Sequence, residues 1–281
     1  MLRQQLVLTA TFTSTCTLSS RYGEKARDGF TAYMHSGDEE AIQKDWYDVA
    51  AVRTAWKQLV AFGSSGHFSS GVLPETLKYD IVNVGREVLA KISSHKFNVL
   101  SNASTAAEVA AAGAALKELA ADVDGLLCAD FGFTLGWWVE AALALGTTAN
   151  EKANLEWSAR AQVSTWLPAC PPSQWPTPSG NVSNQVTGTC GTRSDLADYS
   201  NKQWGGLVSA FYSPRQQCYV DVAARRGLPV QTADTDYNTC LDKVAWGFQH
   251  DFGGKNAPIC GPAGVGDVLN ISLALLSKYV L

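Results

Sequence analysis

Three pairs of carboxylates stand close enough along the chain to be weighed as reacting groups: Glu39 with Glu40, Glu118 with Asp122, and Asp195 with Asp198. Two carboxyl groups facing one another across about 5 to 9.5 Å, one with a raised pKa, can cleave a glycosidic bond. None of the three pairs reads that way. Glu39-Glu40 belongs to a charge run in a loop. Glu118 and Asp122 lie one turn apart on the exposed stripe of an alanine-rich helix, the ordinary place for solvated charge. Asp195 opens a helical pattern, where its carboxylate suits the free N–H groups of the first turn. No GxSxG elbow, phosphate-cradling loop or dinucleotide fingerprint occurs. His35, His67, His95 and His250 are scattered without ligand spacing and no CxxC is present, so neither a metal nor a cofactor is expected.

The aromatic residues say more. Trp166 ends one helical stretch just before a long loop, and Tyr199 begins the next just after it. In DLADYSNKQWGGLVSAFYSPR (195–215), read as one helix from Asp195 to a closing Ser-Pro, Leu196, Trp204, Leu207, Val208 and Phe211 form an apolar arc. Tyr199 falls at the edge of that arc, where its ring can stack on a molecule from outside while its hydroxyl finds a polar partner. Gly205 and Gly206 cost this helix about 1 kcal/mol each relative to alanine, which fits close approach of another backbone. Plain helix-to-helix packing explains the same pattern, so the residues alone leave both readings open.

The elements that must position these residues are helices. Leu77, Ile81, Val84, Val88 and Ile92 recur at three-and-four spacing. Further helical patterns cover 45–62, 105–127, 135–145, 150–167 with Asn150 as N-cap, 234–249 and 266–281, and no alternating strand pattern follows residue 20. The expected fold is all-α, a bundle of about seven or eight helices with one long Cys-bracketed loop insertion. That insertion, 168–193, is rich in Pro, Gly, Asn and Thr, which forbid helix.

With 281 residues, 46% of them hydrophobic and 17% charged, the chain can bury a sizeable core. A net charge of -4 and a pI near 5.6 argue against nucleic acid or an anionic membrane surface as partner. No apolar run reaches the length of a membrane span. The N-terminal stretch has an early Arg, but four threonines between Leu8 and Thr15 dilute it as a signal peptide. Seven cysteines are present. Cys128 and Cys218 sit in helical patterns and read as buried thiols. Cys170 and Cys190 bracket the insertion and are predicted to be bonded, and Cys240 and Cys260 bracket a second loop-rich stretch. With the acceptor patterns at Asn102, Asn181 and Asn270, these loops point to the secretory pathway.

The segments WYDVAAVRTAWKQLV, LKYDIVNVGREVLAKI, DVDGLLCADFGFTLGWWVEAA, EWSARAQVSTWLP, DLADYSNKQWGGLVSAFYSPR and GDVLNISLALLSKY occur here in order. In that order they resemble the C-terminal helical domain of the α-N-acetylglucosaminidases, glycoside hydrolases that remove terminal α-linked N-acetylglucosamine from heparan sulfate. The resemblance runs from about residue 21 to 281 and leaves 1–20 and the insertion unassigned. It implies a lysosomal, vacuolar or secreted protein. It also implies that the catalytic glutamates of a retaining mechanism stand on a TIM-like barrel outside this domain, so the chain is expected to be inactive alone. By motif, the resemblance carries a sugar-facing role onto Trp166 (of STWLP) and Tyr199 (of DLADY), with Leu196 beside them. Where that family has a short turn after the tryptophan, this chain has its long loop, which reshapes the pocket edge. The rival reading is a non-catalytic helical module that binds a glycan or a protein.

Overall fold

The computed structural model describes residues 47–68, 72–175, 200–228, 230, 234–254, 260–261, 264 and 266–280. Among them are eight α-helices and no strand: α1 (Val49–Gly63), α2 (Glu75–Ser101), α3 (Ala106–Cys128), α4 (Leu135–Leu143), α5 (Ala149–Gln162), α6 (Ser213–Arg226), α7 (Thr235–His250) and α8 (Val268–Tyr279). The all-α expectation holds.

Local chemistry sets most helix starts. Asp48, Thr105, Thr134, Thr148, Asp234 and Asp267 each accept a first-turn N–H, satisfying donors that the helix itself leaves open. The cap of α5 is Thr148 rather than Asn150. Thr148 has Glu151 three residues on, and the two satisfy each other's backbone N–H groups in a reciprocal box. Hydrogen bonds from Thr147 and Thr148 hold the Glu151 carboxyl down at about 2.

Helix α3 is the axis of the bundle, packed against α2, α6 and α8. Its flank carries Glu118 and Asp122, whose carboxylates take the Lys278 ammonium at 2.7 and 2.5 Å, while the Tyr279 hydroxyl donates to Asp122 at 2.6 Å. This pair of acids therefore ties the C-terminal helix down and is not an acid/base pair. The main core is built on Trp56, Ile81, Leu89, Leu119, Leu126 and Phe211, all fully buried. A smaller cluster, with Phe97, Leu116, Tyr219 and Leu241, surrounds the disulfide Cys218–Cys240. The second described disulfide, Cys128–Cys260, closes 132 residues of chain.

One cysteine expectation is thereby corrected: Cys128 and Cys218 are not free thiols but bond to Cys260 and Cys240. Both helices end or cross where a loop or neighbouring helix brings a second sulfur within a bonded Cα–Cα distance, 5.5 and 5.8 Å. Cys170 is disulfide-bonded as well. Cys190 and the rest of 176–199 lie outside the described residues.

The glycine segment also differs from expectation. Residues 201–204 are not helical, and the helix begins at Leu207, passes through a π turn (Val208–Tyr212) and continues into α6. Ser213-Pro214 thus opens a helix instead of closing one. The proline ring cannot accept the normal approach of the preceding turn, and the wider π turn before it absorbs the mismatch.

Candidate functional site

Helix α5 stops at Gln162 because the chain turns back on itself over Ser164–Ala169. The Trp166 N–H donates to Ala161 O at 2.8 Å, five residues back, which wraps the turn under the helix end. Trp166 has φ +64, the left-handed region, and is the one non-glycine residue with a positive φ among those described. That conformation is steric strain for a side chain, of order 1–3 kcal/mol, and persists only where the surroundings enforce it. They do so here. Ser164, Thr165 and Ala169 are buried on either side, while Trp166 remains 37% exposed.

The turn is bonded to α7. The buried Gln249 carboxamide accepts from Ala169 N–H at 2.8 Å and donates to Thr165 Oγ1 at 2.7 Å, Leu167 O at 3.1 Å and Ser164 Oγ at 3.3 Å. Thr165 in turn donates to Leu167 O at 2.5 Å. The end of α7 is held to α5 by a second knot. Buried Arg160 pairs with Glu156 at 2.9 Å and donates to Phe248 O at 3.3 Å, while Glu156 accepts the Gly253 N–H at 2.9 Å. These bonds tie the turn and the end of α5 to the end of α7.

Residues 200–206 run onto the opposite flank of α4. Trp204 packs against Trp138 with ring centroids 5.8 Å apart, and Trp138 Nε1 donates to Ala159 O in the last turn of α5 at 3.0 Å. Trp138 therefore links the segment that follows Tyr199 with the helix that delivers Trp166. Tyr199 and Leu196 themselves, with Asp195 and Asp198, lie outside the described residues.

The glycines of this segment have a local purpose. Gly205 donates to Phe133 O at 2.7 Å and accepts from Leu135 N–H at 2.9 Å, an isolated bridge alongside Thr134. A β-carbon on Gly205 would stand 2.7 Å from both the Cys128 amide nitrogen and its Sγ. Gly206, at φ +85, turns its N–H onto Asp124 Oδ1 at 2.8 Å, and Ser209 N–H joins it at 3.0 Å. Burial pushes the Asp124 carboxyl above its usual range, with these two N–H bonds opposing. Asp124, Cys128 and Cys260 are the one group of metal-type donors clustered among the described residues. Both sulfurs are committed to the disulfide, so the trio offers no ligand set.

A cleft of about 560 Å³ opens between α6 and α7 beside Trp175. Lys243 stands over the Trp175 ring, and Arg225 and Arg226 face Asp236 across its rim. Trp166 does not line it. Sequence reasoning singled out Trp166, Tyr199 and Leu196 and did not single out Gln249 or Asp124. Gln249 is buried and Asp124 half-buried on their helices, and a polar residue beside an apolar helix stripe was the signal available.

Fold and site define an all-α domain that displays one conformationally fixed tryptophan at a helix end. Residues 14–278 match the family model described as alpha-N-acetylglucosaminidase (NAGLU) C-terminal domain, and the chain belongs to that family. It is 26% identical over 200 residues to human alpha-N-acetylglucosaminidase, an alignment covering 69% of this chain and 23% of the relative. The fold matches a family 89 glycoside hydrolase of Clostridium perfringens solved with its substrate GlcNAc-alpha-1,4-galactose. The TM-score is 0.63 and the identity 18%, over 84% of this chain and 24% of that one. The same fold is found in the C. perfringens enzyme with PUGNAc, at TM-score 0.62 and 17% identity and the same coverage. The chain thus spans about a quarter of the length of these relatives.

Proposed function

We propose that this domain completes the sugar pocket of an α-N-acetylglucosaminidase. Trp166, with Tyr199 and Leu196, lends an apolar wall to a terminal α-linked N-acetylglucosamine, as found in heparan sulfate. The catalytic carboxylates then belong to a TIM-like barrel outside these 281 residues. In this reading the domain runs from 21 to 281, with 168–193 an insertion at the pocket edge. The observation that carries the proposal is the strained, exposed Trp166, in a turn bonded to Gln249 on both sides of it. An indole plate offers a sugar ring stacking area on one face. The one carboxylate pair among the described residues agrees with this division of labour: Glu118 and Asp122 are spent on Lys278 and Tyr279, while Glu39 and Glu40, like Asp195 and Asp198, lie outside the described residues. In this reading the location is lysosomal, vacuolar or secreted, which the disulfides support because they persist in oxidising compartments.

Hydrolysis of a chromogenic α-N-acetylglucosaminide tests the proposal, measured for the chain alone and with a family barrel supplied. Turnover is expected only with the barrel. Turnover by the chain alone, abolished by changing one of its own carboxylates, would overturn it.

A further inference from the structure

We propose that Gln249 is the positioning residue that holds Trp166 in its left-handed conformation and so sets the direction of its ring. This rests on the reading of Trp166 as a sugar wall. The geometry is specific to that task. Gln249 reaches from α7 into the turn that follows α5, 80 to 85 residues earlier in the chain, and spends both ends of its carboxamide there. Its partners fall on both sides of Trp166: Ser164 and Thr165 before it, Leu167 and Ala169 after it. A backbone pinned at both flanks cannot rotate the central residue out of a strained well, whereas one pinned on a single flank can. Because the amide has two donor hydrogens and an acceptor oxygen, glutamine satisfies the turn's acceptors and its lone Ala169 N–H together. Glutamate would lack the donors and methionine would lack both.

Trp166 carries no hydrogen bond to Gln249, so the effect of Gln249 is exerted through the turn. A residue that merely stabilised the core would leave the environment of Trp166 untouched once the protein had folded.

The test uses the full chain labelled with ¹⁵N, following indole N–H resonances, with that of Trp166 identified by its loss in Trp166→Phe. Gln249→Met keeps the side-chain volume and removes the network. It is expected to shift or split the Trp166 resonance while the resonance of core Trp56 stays in place. Should Gln249→Met fail to fold, Thr165→Val cuts the shortest Gln249 contact and is expected to move Trp166 in the same direction by less. A Trp166 resonance unchanged in the folded variants would overturn the proposal. Titration with N-acetylglucosamine separates this inference from the functional reading. A wild-type Trp166 signal indifferent to the sugar counts against the pocket wall, whereas the Gln249 inference is judged by the variants without sugar.

Discussion

Among the segments with positive-φ backbone, those at Gly206 and Trp166 solve the problem in opposite ways. At Gly206 the sequence provides the residue that the conformation favours, and the turn serves packing: it brings Gly205 against Cys128 and directs two N–H groups onto Asp124. At Trp166 the sequence provides one of the largest side chains in the same region of φ, and a buried glutamine on another helix holds it there. The first arrangement lowers the energy of the fold. The second raises it locally and leaves the ring at the surface. Strain retained beside a fixed polar network is the pattern expected of a residue kept for contact with something else.

The packing segment is the one whose disruption costs most. Replacing Cys128 and Cys260 together by alanine is expected to lower stability by about 5 kcal/mol, against about 3 kcal/mol for Cys218 with Cys240, because the first cross-link closes the longer loop. Chemical unfolding of the two double variants checks the ranking. Gly205→Ala places its β-carbon on the Cys128 backbone and should cost about 3 kcal/mol. If it costs no more than an exposed substitution, the close approach is not a constraint.

Asp124→Ala leaves the Gly206 and Ser209 N–H groups without their acceptor, for about 1–3 kcal/mol. Asp124→Asn keeps an acceptor and separates charge from hydrogen bonding. Burial raises the Asp124 pKa, so the folded state binds that proton more tightly than the unfolded chain does. The associated stability is therefore greatest below the ordinary 3.8 and falls as pH rises through the higher folded value. Unfolding measured across that range should lose this part of its slope in Asp124→Asn. Gly206→Ala imposes φ +85 on a side chain and should cost about 1–2 kcal/mol.

The same contrast explains what the sequence made legible. Helices α2, α3 and α7 could be read from their apolar periodicity and good helix formers, even where, as at Pro74 before α2, no side chain caps the start. The glycines were rightly read as sites of close approach, yet placed in a helix that starts only at Leu207. A wheel projection cannot see that Asp124, far away in sequence, draws the N–H groups of that segment out of helical register. Pro214 misled as a stop signal because the π turn that accommodates it has no sequence mark. Trp166 was legible through its resemblance to a family motif, whereas its strain was not, since φ depends on Gln249 across the bundle. The reading of Cys128 and Cys218 as buried thiols failed for a related reason: their partners Cys260 and Cys240 reach them only through tertiary contact.

The central claim is that Trp166 sits in a conformation natural to glycine, imposed on it by its surroundings. Equilibrium unfolding of Trp166→Gly against Trp166→Ala tests it most directly, since both remove the indole and differ only at the β-carbon. At ordinary positions alanine is the more stable of the two. The account predicts the reverse here, with the glycine variant more stable by about 1 kcal/mol. An alanine variant as stable as the glycine variant, or more so, would contradict it.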